Sequence, residues 1–318
     1  MLGYALGILM SGLMLVGPGG ACGQNYPAKP IRIITAGAGG GTDIVARLFP
    51  AGITQAFGQQ VVIDNRASGV AQGETLARSA PDGYTLLVCS GNVWISGSTQ
   101  SLSFDVIRDF SPITLVGSSP SVLVVHPSLP VKSVKDLIAL ARARPGQLNY
   151  GTSAAGAAGL LAAELLKSMA GIDIVRVPYK GGGPALNGLI SGEVQLSFAS
   201  APNVKSHVQS GRLRAMAITS AEPSALFSGL PTVASSGLPG YEAGSTYGMF
   251  APAKTPATII QTLNQEMVKF LKSPEAKERF LNVGVDTIGT TPEQFVAIVK
   301  ADLVKWGKLI KDAGIRVE

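Results

Sequence analysis

The residues best placed for chemistry in this 318-residue chain sit in glycine turns that precede helix-like runs. Val177-Pro178-Tyr179-Lys180-Gly181-Gly182-Gly183-Pro184-Ala185-Leu186 reads as a strand end, a glycine turn and a helix that opens on Pro184. Proline suits the first helical position, where no backbone N–H is needed. The three glycines allow the turn to aim N–H groups outward, and the helix dipole favours an anion beside them. Lys180 either adds positive charge at that point or is a solvated surface lysine. A strand–helix turn also needs glycine for purely structural reasons, so the rest of the chain must decide between the two readings. Gly37-Ala38-Gly39-Gly40-Gly41-Thr42 approaches a dinucleotide turn but has Thr42 where that fingerprint needs its third glycine.

Other chemistries lack their parts. There is no G-x-S-x-G elbow and no G-x-x-x-x-G-K-[ST] loop. His126 and His207 are the two histidines, with no H-E-x-x-H and no Cys/His cluster. Zinc sites and Ser–His catalysis are therefore unsupported, and neither a metal nor a cofactor is expected. An enzyme built on the Gly37–Asp43 loop is an alternative, but no evident acid–base pair accompanies it. Cys89 lies in the apolar run Thr85–Ser90 and reads as a buried, inert thiol.

Composition bounds the rest. Hydrophobic residues make 46% and charged residues 14%, which suits large cores and argues against disorder. The formal charge is +6, carried by scattered basic residues with 6% aromatics and no basic–aromatic stripe. That argues against nucleic acid and suits small anions. Residues 1–25 carry no charged side chain. Leu2–Val16 is apolar and is followed by small residues, a pattern expected of a signal peptide over 1–23. Cys22 is a weaker candidate for a lipid anchor, since Gly19 stands where a lipobox usually has leucine. The expected location is periplasmic.

Strand-like and helix-like runs alternate through two series. Ile31–Thr35, Val61–Asp64 and the run ending at Val88 are strands, with a helix over Thr42–Phe57 and a shorter one over Gly73–Ala80. A second series fills about 120–245: strands at Ser121–Val125, Leu148–Gly151, Ile174–Tyr179, Val194–Ala199 and Leu213–Thr219, with helices between. Thr255-Pro256, Ser273-Pro274 and Thr291-Pro292 each read as a capping residue before a first-turn proline. The pattern is α/β, with parallel sheets covered by helices. Stretches near Pro120–Val125 and Thr246–Pro252 are candidate crossings. The resulting division is 24–120 with 247–318 as one lobe and 121–246 as the other, with a cleft between them.

Several segments, in order, carry a resemblance: Tyr26-Pro27-Ala28-Lys29-Pro30-Ile31-Arg32, Gly39–Arg47, Pro81–Leu87, Val177–Gly181, Gly211–Ala215, Gly237–Tyr241 and Ala251–Pro256. Together they resemble the Bug family of periplasmic solute receptors of tripartite tricarboxylate transporters. The resemblance spans about 26–314 and implies a type II periplasmic-binding-protein fold, with two α/β lobes, two crossover strands and a ligand cleft. It implies a binding protein, not an enzyme, that captures a small carboxylate and delivers it, as a monomer, to membrane transporter subunits. A receptor that reports ligand to a sensor protein is the alternative.

The same resemblance implies that loops before helices grip the carboxylate with backbone N–H groups. The expected ligand residues are Thr35, Ala36, Gly40, Gly41, Thr42 and Asp43 in one loop and Thr152, Ser153 and Ala157 in another, with Lys180, Ser200 and Thr246. Thr42 and Asp43 are equally suited to capping the following helix, and Thr152 and Ser153 to ordinary turn chemistry. The chain departs from the family pattern at Thr35-Ala36 (usually Pro-Phe), Ala157 and Ala158 (Ser/Thr), Leu160 (often His), Gly188 (Asp), Pro223 (Arg) and Thr246 (Trp). These departures point to a ligand larger or less polar than a simple C4 dicarboxylate.

Overall fold

A computed structural model of the chain describes residues 26–39, 41–66, 69–98, 100–152, 158–179, 181–224 and 227–314. The proposed signal segment and Cys22 lie outside the described residues. The first series runs β1 (Ile31–Thr35), α1 (Gly41–Ala46), α2 (Phe49–Phe57), β2 (Val61–Asn65), α3 (Gly69–Ala77), β3 (Thr85–Ser90), α4 (Asn92–Ile95) and α5 (Val106–Asp109). A long strand, β4 (Phe110–Val125), follows. The second series is α6 (Val134–Ala143), β5 (Asn149–Thr152), α7 (Ala158–Ala170), β6 (Val175–Pro178), α8 (Gly182–Ile190), β7 (Leu196–Ser200), α9 (Ala201–Gln209) and β8 (Arg214–Ile218). The chain returns through β9 (Gly244–Pro252) and ends with α10 (Ala257–Lys272), α11 (Pro274–Asn282), β10 (Asp286–Thr287) and α12 (Pro292–Asp312).

Strand β4 belongs to both sheets. Its first half pairs with β9 in antiparallel register, from Phe110 opposite Pro252 to Pro120 opposite Gly244. Beyond β9 lie β3, β1 and β2, the last three parallel to one another. From Ser121 onward β4 pairs with β7, and from Val122 with β8 on its other edge. Parallel β5 and β6 complete that second sheet. The hand-over falls at Pro120, which has no N–H to leave unpaired where one ladder ends and the next begins. We call each sheet with its covering helices a lobe. The two lobes meet along β4 and the start of β9.

Helices follow from apolar stripes and caps. In α6, Ser133 accepts from the Asp136 N–H at 3.1 Å, and Val134, Leu137, Ile138 and Ala141 face inward. α12 is closed by a reciprocal box: Gln294 N–H donates to Thr291 Oγ1 at 3.3 Å, and Thr291 N–H to Gln294 Oε1 at 3.0 Å. Its buried stripe includes Phe295, Val299 and Trp306. One apolar cluster runs from Leu76 and Trp94 in the first lobe, through Phe295 and Trp306, to Leu161 and Leu166 in the second. α12 thus packs across the junction instead of standing free.

The sequence reading needs four corrections. The helix expected over Thr42–Phe57 is two helices, broken at Arg47-Leu48, because Pro50 cannot donate a helical bond and belongs in the first turn of α2. Pro184 is the third residue of α8, not the first; the helix starts on glycines whose N–H groups need no internal partner. Pro256 is the cap of α10, so Thr255 lies outside it and donates to the Pro252 carbonyl at 2.8 Å. The strand expected at 121–125 is only the second half of a 16-residue strand.

Replacing the cap of α12 tests this account of the junction. Thr291→Ala is expected to lower unfolding stability in urea by about 1 kcal/mol, the usual worth of such a cap. No change would mean that tertiary packing alone holds the helix start.

Candidate functional site

A cavity of about 220 Å³ opens where the lobes meet. The first residues of three helices reach its wall: Ala158 and Gly159 of α7, Gly182 of α8, and Ser200 and Asn203 at α9. Each helix start carries N–H groups without an intrahelical partner and the positive end of a dipole. At α8 the cap position is Gly181, and at α9 it is Ser200; neither provides a side-chain cap. Those donors remain available to an occupant. Three convergent N-termini make the cavity a place for an anion.

Close packing fixes this convergence. A β-carbon on Gly159 would lie 2.4 Å from the Phe198 carbonyl oxygen, so only glycine lets the start of α7 press against β7. Gly188 plays a similar part in α8, where a β-carbon would lie 2.2 Å from the Tyr179 hydroxyl. Gly188 thus packs against the Tyr179 ring and is not in the cavity wall.

The wall between these ends is rich in hydroxyls and has no formally charged side chain among its described residues. Thr152, Ser121 and Ser197 are buried. Ser197 Oγ donates to the Gly151 carbonyl at 2.8 Å, which leaves its oxygen able to accept. Tyr247 and Ser245 enter from β9, and Ser119 from β4. The Tyr247 phenol is raised in pKa by burial and bonds with Ser245. A β-carbon on Gly41 would lie 3.7 Å from the Tyr247 hydroxyl, so this side chain spans toward the start of α1. Pro120, Leu186 and Phe198 supply the apolar part of the wall.

Of the residues expected from sequence, Thr152 and Ser200 line this cavity. Gly40, Ser153, Ala157 and Lys180 lie outside the described residues. Thr35 is fully buried, and its hydroxyl donates to the Thr42 carbonyl at 3.3 Å within its own loop. Ala36 accepts a bond from Asn65 through its carbonyl, and Ala36, Gly41 and Thr42 are not in the cavity wall. Asp43 is buried and accepts from the Gly39 N–H at 2.9 Å, Arg47 Nε at 3.0 Å and Asn65 Nδ2 at 2.7 Å. Burial acts to raise its pKa, but the Arg47, Asn65 and Gly39 donors outweigh this and hold the carboxyl below its usual range. Its geometry is that of a loop brace. Thr246 lines a second cavity instead of the first, because alternate residues of a strand face opposite sides.

Ser119, Ser121, Ser197, Asn203, Ser245 and Tyr247 were not foreseen. The signal for Tyr247 was present: it lies one residue from Thr246 in an extended run, so the aromatic ring belongs to the other face. Two further departures, Leu160 and Pro223, lie outside the cavity wall, whereas Ala158 is part of it. Leu160 is in the core, and Ser224 after Pro223 donates to Asp286 Oδ2 at 2.6 Å. Cys89 is fully buried, with its thiol pushed up by desolvation, in keeping with an inert side chain.

Two substitutions test this geometry. Gly159→Ala should cost about 1–3 kcal/mol on unfolding, the range for overpacking a tight site. Asp43→Ala leaves buried donors without an acceptor and should cost about 1–3 kcal/mol near neutral pH. Because the folded pKa of Asp43 lies below its unfolded value, its contribution is complete above about pH 4 and fades as pH falls through the folded value. The wild-type and Asp43→Ala unfolding curves should therefore converge in acid; a gap that widens below pH 4 would contradict the brace.

Comparison with known proteins identifies the family and the fold. The profile described as the tripartite tricarboxylate transporter family receptor, TctC, matches residues 45–315. The protein BugT of Bordetella pertussis is 35% identical over 301 residues, covering 93% of this chain and 92% of its own. A solved structure of R. palustris Rpa4515 with adipate is 35% identical, with a TM-score of 0.77 and coverage of 92% and 99% of the two chains. MatC from Rhodopseudomonas palustris, solved with bound malate, is 26% identical, with a TM-score of 0.71 and coverage of 90% and 100%. The fold is that of the two-lobed solute-binding proteins, and receptors of this family are periplasmic. On the profile and the full-length match to BugT, the chain belongs to the TctC, or Bug, family of tripartite tricarboxylate transporter receptors.

Proposed function

We propose that this protein is a periplasmic solute-binding receptor that holds a small carboxylate in the 220 Å³ cavity and presents it to tripartite transporter subunits in the membrane. The observation that carries this reading is the convergence of the N-termini of α7, α8 and α9 on one wall whose described residues are uncharged and rich in hydroxyls. Neutral donors and helix ends balance the charge of a carboxylate without a fixed salt bridge. The relatives solved with adipate and with malate support the ligand class.

In this reading the ligand groups are Thr152 and Ser200, joined by Asn203, Ser245 and Tyr247 and by the N–H groups of Gly159, Gly182 and Gly183. The loop containing Gly41 and Thr42 would approach from the first lobe as the cleft closes. Tyr247 supplies the aromatic wall that Thr246 does not. The lobes follow the division 24–120 with 247–318, and 121–246. An export signal over 1–23 would take the chain to the periplasm. Among the described residues no helix is long and apolar enough to cross a membrane.

The role is binding without catalysis. The described cavity wall offers no histidine, carboxylate or lysine to move a proton near neutral pH. Capture by lobe closure needs none.

A thermal-shift screen of the protein from about Gln24 against dicarboxylates, tricarboxylates, aromatic acids and amino acids tests the reading. A ligand at 100 times its Kd should stabilise the folded state by about 2.7 kcal/mol. Ser200→Ala and Tyr247→Phe should each weaken the best ligand about fivefold, equivalent to about 1 kcal/mol for one hydrogen bond. Binding that both variants leave unchanged would move the ligand out of this cavity.

A further inference from the structure

A second and larger cavity, of about 460 Å³, lies behind the crossing strands. Tyr247 faces the first cavity and Thr246 the second, while Ser119, Pro120 and Ser245 contribute to both walls. Its volume falls within the ordinary range for small-molecule sites. Its apolar lining is formed by Leu115, Ile288, Ile298 and Trp306. Ile288 is 41% exposed, a large aliphatic side chain that this side of the protein does not cover.

Charge lies among these apolar residues: Asp302 falls between Ile298 and Trp306 on one face of α12, and Lys305 and Glu242 also line the wall. Lys305 Nζ donates to the Glu242 carbonyl at 2.6 Å and lies 4.7 Å from the centre of the Trp306 ring. That ammonium thus already has an acceptor and an aromatic face. Asp302 Oδ2 accepts the Trp94 indole N–H at 3.0 Å, and the Trp306 side chain also donates to this carboxyl, which fixes it at the cavity wall. Glu242 is exposed at the rim, near enough for its charge to act on Asp302. Burial disfavours both charges at the wall, raising the pKa of Asp302 and lowering that of Lys305. The Lys305 charge acts on both Asp302 and Glu242, so two carboxyl groups share one ammonium beside an apolar surface. The excess is negative.

We propose that this cavity is a second binding site, for a small organic cation: a protonated amine on an apolar or aromatic body. The ammonium would lie between Asp302 and Glu242, and the body against Trp306, Ile288 and Ile298. The site is coupled to the carboxylate cleft by construction. Lys305 ties α12 to Glu242 of the second lobe, and the strands that separate the two cavities form a wall of each. On the lobe closure that the proposed function requires, both cavities would change shape together, and an occupant of one would bias the other.

The test uses phenethylamine as the probe on the full exported chain, measured by isothermal titration and ligand-observed NMR. 3-Phenylpropionate and 3-phenylpropanol serve as the anionic and neutral comparisons. The site predicts saturable binding of the amine, at least tenfold weaker binding of the alcohol, and retention of amine binding in Ser200→Ala. Ala301→Trp, which adds bulk at the cavity wall from an exposed helix position, should abolish it. Asp302→Asn should weaken it at least tenfold; should that variant fail to fold, the exposed Glu242→Gln carries the same test with an expected loss of threefold or more. The proposal is overturned by no saturable amine binding, by equal binding of amine and alcohol, or by loss in Ser200→Ala with retention in Ala301→Trp. The last pattern would place the amine in the first cavity.

Discussion

The structure depends on a single strand that serves two sheets. β4 gives its first half to one lobe and its second half to the other, and Pro120 marks the change of partner. A strand has two faces, so a shared strand places one cavity on each side of the junction. Both cavities follow from that arrangement: helix starts meet at one, and an apolar and charged wall forms the other. Without a continuous β4, the lobes would have no fixed axis about which to close.

Among the described residues, the polar character of the first cavity comes from helix starts and hydroxyls, not from charged side chains. The chain carries a formal charge of +6, yet the described wall of the first cavity has no lysine or arginine. Helix N-termini bring partial positive charge with little mobility, and they need no long side chain to be ordered. Hydroxyls add donors that can also accept, so the same wall can meet carboxylates whose remaining groups differ. A fixed arginine would instead favour one geometry of paired oxygens.

Much of the fold was legible in the sequence. Alternating strand and helix patterns, glycine turns and three Pro-marked helix starts gave the α/β order because each reports a local constraint. Long-range pairing was less visible. The stretch Ser121–Val125 looked like a separate strand because Pro112 and Pro120 interrupt its pattern, yet both prolines are accommodated along β4. The helix over Thr42–Phe57 read as continuous because its apolar spacing hides the break that Pro50 imposes.

The site was legible only in part, for a physical reason. Thr152 and Ser200 sit at strand ends before helices, where donors gather, and the structure brings both to the cavity. Asp43 has the same sequence signature as a ligand residue, but its carboxylate braces Gly39, Arg47 and Asn65. Position in a turn does not say which way a side chain faces. Thr246 makes the same point in a strand, where a shift of one residue exchanges the two faces and turns attention from Tyr247 to its neighbour. Such choices are made by packing, as at Gly188, where the Tyr179 ring decides what the position can hold.

The most direct measurement is a crystal structure of the protein with a bound carboxylate. The account predicts carboxylate oxygens within about 2.7–3.2 Å of N–H groups at the starts of at least two of α7, α8 and α9, with Ser200 or Tyr247 in contact. A carboxylate held by lysine or arginine side chains, with no N–H of those three helix starts in range, would contradict it.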